Sequence, residues 1–291
     1  MAKFKLTVNL LMIKEIIITL GFFCSSIHLQ SQVINGPDTV LVRSGKLMLK
    51  GLLWKPAATG KFAAIIFSHG SYGGSDTLHD PLQEVSLLGP VFATRGYVFL
   101  ALFRRGVSLS QGQGINSSIL MENALKEKGQ EGRNGVQLQQ LETDQLQDMI
   151  SGIAFLRKRK DINNKRIAIV GHSFGGSLAL LVAEHEPDLK AVVVFSAGGY
   201  SWDRSSQLRI RLISAVRNIS MPIMIIHAQN DYSVNPGYVL DSVMKQLHRA
   251  HVLKIYSKFG DSANEAHNLI FRGTDIWKAD VFKFLDEILV H

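Results

Sequence analysis

Short, continuously apolar runs alternate with amphipathic stretches along most of the chain. Phe62 to Phe67, Tyr97 to Leu102 and Arg166 to Val170 read as buried strands, because runs of this length without polar alternation suit strands covered on both faces, and strand signals recur at Ala191 to Phe195, Pro222 to His227 and Val252 to Tyr256. Between them, residues 84–95, 175–185, 206–217 and 236–249 carry apolar positions at helical spacing, and a last helix is expected over Ile276 to Leu289. From Leu138 the apolar residues Leu141, Leu146, Met149, Ile150 and Ile153 predict one helix ending near Lys160. Strands alternating with helices imply crossover units and a largely parallel sheet with helices on both faces, an α/β architecture. The opening differs: Thr39 to Val42 and Leu47 to Leu49 flank Ser44-Gly45 and predict an antiparallel pair.

One stretch lacks this order. Arg104 to Gly135 is rich in Gly, Ser, Asn and Gln and shows no periodicity until Ile119. A long irregular connection in a compact domain is usually functional, and residues 107–137 are expected to form a lid over the site within one domain spanning residues 32–291.

The first 31 residues stand apart. Lys3 and Lys5 precede an apolar region that is interrupted by Lys14 and Glu15 and resumes at Ile16 to Cys24. This pattern predicts an export signal, cleaved after Ser26 or after Ser31, and a periplasmic or secreted protein. An uncleaved anchor from Leu6 to Phe23 would hold Lys14 and Glu15 near the bilayer centre at a cost of several kcal/mol, so no stable span is expected once the leader is gone. Cys24 is the single cysteine, and a chain starting near Gln32 has no thiol for a disulfide, a metal site or a nucleophile. The net charge of +8 falls to +6 without the leader's three lysines and one glutamate. The positive residues are scattered apart from Arg157 to Lys160 at a helix end, and no reading motif or aromatic platform accompanies them, so nucleic acid is not an expected partner.

Candidate chemistry sits at strand ends, where open α/β sheets bind ligands. Gly171-His172-Ser173-Phe174-Gly175 follows one strand and leads directly into a helix. That is the setting of a nucleophile elbow: a serine in a strained strand-to-helix turn needs small residues two before and two after it. A serine hydroxyl needs a base, and the base needs an acid to orient it, here in the chain order Ser, Asp, His. Asp231 lies just past the strand ending at His227, and His267 lies in the connection after the strand ending at Tyr256. His248 and His251 compete on spacing, but one falls on a helix and the other begins a strand. As oxyanion donors, the backbone N–H of Phe174 and that of Ser71, in the loop Ser68 to Gly74, are the candidates, with Tyr72 as an alternative to Ser71. Arg104 and Arg105 follow a strand end and read as salt-bridge residues or as contacts for a substrate carboxylate.

These residues carry a resemblance. His69-Gly70, Arg104-Arg105-Gly106 with Ser110 and Gly112, Arg166 to Gly176, Asp231 and His267 resemble the dienelactone hydrolase-like and prolyl oligopeptidase-like branch of the α/β-hydrolases, over Ala63 to about Leu289. The resemblance implies a Ser173, Asp231, His267 triad acting on a small-molecule acyl substrate. Ser173 stands where true dienelactone hydrolases have cysteine, and the propeller domain of full oligopeptidases has no counterpart in the sequence. Acyl transfer through a serine needs no metal and no organic cofactor. Ester cleavage is the first expectation, exopeptidase or oligopeptidase-like activity the second, and a noncatalytic binding protein of the same fold the third. Haloalkane and epoxide hydrolases place a carboxylate where Ser173 stands. The sequence implies no particular oligomeric state.

Overall fold

The computed structural model describes residues 36–72 and 79–290; the expected leader and its cleavage sites lie outside the described residues. Eight strands are β1 (Asp38–Ser44), β2 (Leu47–Trp54), β3 (Phe62–Ser68), β4 (Val98–Leu102), β5 (Ile162–His172), β6 (Val192–Phe195), β7 (Ile223–Ala228) and β8 (His251–Tyr256). They form one sheet in the order β1-β2-β4-β3-β5-β6-β7-β8. β2 runs antiparallel to β1 and to β4, and every pairing from β4 to β8 is parallel. The helices are α1 (Pro81–Thr94), α2 (Ser117–Glu142), α3 (Asp144–Arg157), α4 (Phe174–His185), α5 (Ser206–Asn218), α6 (Asn235–Gln246), α7 (Ala263–His267), α8 (Leu269–Arg272) and α9 (Thr274–Leu289).

The period-two geometry of a strand divides the core in two. In β3, Ala64 and Ile66 face one layer, joined by Met149 and Ile153 of α3, Leu178 of α4, Leu212 of α5 and Leu240 of α6. Ile65 and Phe67 face the other, with Phe92 of α1 and Trp277 and Leu285 of α9. Both faces of the central strands are covered, which is why those strands show no polar alternation.

Two helical segments differ from expectation. The region read as irregular through Gly135 is helical from Ser117, with the Asn116 side chain accepting from the Ser118 N–H as its cap. Its buried face carries Ser117, Ser118, Asn134, Gln137 and Gln140 beside Met121, Ala124 and Leu141, so hydropathy shows no apolar stripe to read. Gly129, at φ 66°, kinks it midway. The single helix expected from Leu138 to Lys160 is divided at Thr143, whose φ of −124° and ψ of −97° are not helical.

Candidate active site

β5 delivers the serine. Ser173 follows His172 directly and holds φ 55° and ψ −120°, a conformation that costs a residue with a Cβ about 1–3 kcal/mol. The flanking glycines are required by space: a Cβ on Gly171 would stand 2.3 Å from the Gly175 carbonyl oxygen, and one on Gly175 would stand 2.0 Å from that of Ser68. The Ser173 N–H donates to the Phe195 carbonyl at 2.9 Å, tying the turn to the end of β6.

The acid and the histidine arrive from the next two strand ends. Asp231 sits in the turn after β7, where its N–H donates to the Ala228 carbonyl at 3.1 Å. His267 ends α7, not an open loop. A reciprocal cap starts that helix: the Glu265 N–H donates to Ser262 Oγ, and the Ser262 N–H donates to the Glu265 carboxylate. Asn230 joins the two connections, its side-chain amide donating to the Phe259 carbonyl at 3.1 Å while its side-chain oxygen accepts from the Phe259 N–H at 2.9 Å.

The structure brings the three residues into one hydrogen-bonded series. His267 Nδ1 lies 2.7 Å from Asp231 Oδ1, and His267 Nε2 lies 2.8 Å from Ser173 Oγ. Asp231 is acceptor-only when ionised, so Nδ1 carries the proton and the bare Nε2 accepts from the serine hydroxyl. Burial alone would raise the Asp231 pKa, but hydrogen bonds from His227 and His267 outweigh it and hold the carboxyl well below the usual carboxylate range. Asp231 is ionised throughout the pH range in which ordinary carboxylates are.

Two histidines that sequence reasoning did not assign complete the geometry. His227 Nδ1 donates to the second oxygen of Asp231 at 3.0 Å; a histidine four residues before the acid, at a buried strand end, was the available signal. His172 Nε2 donates to the His267 carbonyl at 2.9 Å, and Ser196 Oγ donates to the same oxygen at 3.1 Å, so the backbone of His267 is fixed from behind the elbow. Burial and then the nearness of His267 push the His172 pKa down to about 3, and burial with Arg104 places that of His69 well below its ordinary value.

Both imidazoles are therefore neutral in the folded protein, with a consequence for stability. Their folded pKa values lie below the unfolded value near 6.5, so below that pH the unfolded chain binds protons that the fold refuses. Stability present above about pH 6.5 should fall by about 1.4 kcal/mol per pH unit for each histidine as pH drops. Urea midpoints at pH 7 and pH 5 measure this, and His172→Phe should flatten the slope. Equal wild-type midpoints at the two pH values would contradict the burial of neutral imidazoles.

Ser173 and His267 open into a pocket lined by Ser71, Tyr72, Phe174, Tyr200 and Tyr232 among others. α2 contributes Arg133 and Gln137, and no Asp or Glu stands in the lining among the described residues. Arg133 Nη1 and Gln137 Oε1 are buried without a hydrogen-bond partner among the described residues, and the Arg133 guanidinium lies over the Tyr200 ring, 5.7 Å from its centroid. Of the weaker candidates, Arg105 pairs with Asp144 and Asp148. Arg104 is buried behind the loop that carries Ser71. His251 pairs with Asp241, while His248 lies just beyond α6.

The sheet order, the elbow and the strand-end residues define an α/β-hydrolase. Residues 49–269 match the dienelactone hydrolase family, and the chain belongs to that family. Similar solved structures include a Pyrococcus horikoshii acylaminoacyl peptidase (19% identity, TM-score 0.59, covering 86% of this chain and 41% of that one). A dienelactone hydrolase from Anabaena variabilis matches at 18% identity and TM-score 0.55, covering 84% and 99% of the two chains. An esterase from Pyrococcus furiosus matches at 17% identity and TM-score 0.59, covering 87% and 91%. The chain thus spans about two-fifths of the peptidase's length. No curated protein matched the sequence.

Proposed function

We propose that the protein is a serine esterase working through an acyl-enzyme. Ser173 Oγ attacks the ester carbonyl as His267 Nε2 takes its proton, and the Ser71 and Phe174 N–H groups receive the oxygen of the tetrahedral intermediate. The C–O bond to the leaving alcohol then breaks, with His267 returning the proton to the departing oxygen. Water, deprotonated by the same nitrogen, releases the acid. Asp231 keeps His267 in the accepting tautomer and offsets the charge of the imidazolium. The hydrogen-bonded series from Asp231 through His267 to a serine on a left-handed elbow carries this reading.

The pocket's charge narrows the substrate. Recognition of a free amino terminus needs a carboxylate, which the described lining lacks, whereas Arg133 brings to the nucleophile's pocket a donor with no partner among the described residues. An ester with a carboxylate on its acyl group fits better than an amino-terminal peptide. The test is turnover of p-nitrophenyl butyrate, its ω-carboxylated analogue and aminoacyl p-nitroanilides. Both esters should be cleaved, with kcat/KM higher for the carboxylated one by about tenfold in wild type and equal in Arg133→Met. Anilide cleavage exceeding ester cleavage would favour the peptidase reading that the acylaminoacyl peptidase likeness suggests.

The segment 107–137 supplies Arg133, and we keep it as a lid: binding of an acyl-phosphonate should protect it from limited proteolysis. The basic and apolar start of the sequence supports export with cleavage after Ser26 or Ser31, which the N-terminal mass of the exported protein tests.

A further inference from the structure

Arg104 is fully buried at the end of β4, and none of the ion pairs among the described residues neutralises it; Asp144 and Asp148 pair with Arg105 instead. Enclosing a guanidinium without a carboxylate partner costs several kcal/mol unless its donors are satisfied. Three of its four hydrogen bonds go to one stretch, Ser68 to Gly70. Nη2 donates to the His69 carbonyl at 2.8 Å and to the Gly70 carbonyl at 3.0 Å, Nη1 to Ser68 Oγ at 3.2 Å, and Nε to Gln145 Oε1 at 2.8 Å.

His69 closes the arrangement. The Arg104 backbone N–H donates to His69 Nε2 at 3.1 Å, so the imidazole proton sits on Nδ1, which donates to the Gly70 carbonyl at 2.8 Å. The Gly70 oxygen therefore accepts two hydrogen bonds, one of them from a cation. That oxygen and the Ser71 N–H are opposite ends of one planar trans peptide, so holding the carbonyl from behind sets the direction of the N–H. Drawing charge onto the carbonyl also strengthens the N–H as a donor. Gly70 borders the nucleophile: a Cβ on it would lie 3.6 Å from that of Ser173. The guanidinium further lies 5.4 Å from the ring centroid of Phe174, the residue bearing the other donor.

We propose that Arg104 is a positioning residue for the oxyanion site, with His69 as its second clamp: together they hold the Gly70–Ser71 peptide so that the Ser71 N–H meets the oxyanion, and the guanidinium charge behind the loop, which no carboxylate among the described residues contacts directly, adds to the field there. This rests on the serine-esterase reading above. A guanidinium retained only for packing could be replaced by an apolar side chain of similar volume without effect on the chemistry, and this difference is measurable.

The experiment compares wild type, Arg104→Met and Arg104→Lys, with active sites titrated by a fluorophosphonate so that misfolded protein is not counted. Losing one oxyanion donor typically costs 100- to 1000-fold in kcat. Arg104→Met should lose about 100-fold in kcat per titrated site on p-nitrophenyl butyrate, with KM changed less than about threefold. Its affinity for a trifluoromethyl ketone, which forms a hemiketal oxyanion on Ser173, should fall by a similar factor. Arg104→Lys keeps the charge and reaches fewer acceptors, and should lose about tenfold in both. If Arg104→Met does not fold, the Lys variant carries the same comparison. Variants that lose titratable sites or thermal stability while kcat per site and ketone affinity stay at wild-type values would overturn the proposal and leave the esterase reading intact. A folded wild type that neither labels nor cleaves any ester would overturn both.

Discussion

Asp231→Ala is expected to lower kcat on an ester by about four orders of magnitude, with a far smaller change in KM. Asp231 Oδ1 receives the His267 Nδ1–H at 2.7 Å and the Tyr232 N–H at 2.7 Å, and Oδ2 receives the His227 Nδ1–H at 3.0 Å. Without the carboxylate, nothing selects the His267 tautomer that accepts from Ser173, and the imidazolium formed during attack loses its counter-charge. The same substitution strands His227, a buried donor, at a cost of about 1–3 kcal/mol, so the variant should also melt earlier. Steady-state kinetics and a thermal melt check the two effects, and a kcat loss under tenfold would contradict the assignment of Asp231.

Ser173→Gly should be inactive, with kcat lowered by about a millionfold, yet at least as stable as wild type. The elbow holds Ser173 at φ 55°, where glycine pays no Cβ penalty. The lost hydrogen bond from Oγ to His267 offsets part of that gain, about 1 kcal/mol. Thermal melts of the wild type and the Gly and Ala variants measure the balance: Ser173→Ala keeps the Cβ and its strain, and should melt below Ser173→Gly. An inactive Ser173→Gly that is destabilised by several kcal/mol would mean that the turn is not strained in the way the backbone angles indicate.

The legible parts of the chain were those in which local pattern and global fold agree. Continuous apolar runs marked β3, β4, β5, β6 and β7 because both faces of each are covered, whereas β8, at the sheet edge, is half-buried throughout and carries Lys254; the glycines around Ser173 marked the elbow because backbone atoms crowd where their Cβ atoms would stand. α2 was not legible, since Asn134 and Gln137 bury amides against Arg204 and Ser201, and hydropathy reads such a face as solvent-facing. The role of Arg104 was hidden for a related reason: its partners are carbonyls of a loop more than thirty residues earlier, and a backbone acceptor leaves no mark in side-chain chemistry. His227 was within reach, because Asp231 offers a second oxygen and an (i, i+4) spacing at a strand end can fill it.

Ser173 as an activated nucleophile should react covalently with a fluorophosphonate, and intact-protein mass spectrometry after that treatment reads the reaction. One adduct is expected on the wild type, none on Ser173→Ala, and greatly slowed addition on His267→Ala. A folded wild-type protein that takes up no adduct, or one that labels equally after Ser173→Ala, would contradict it.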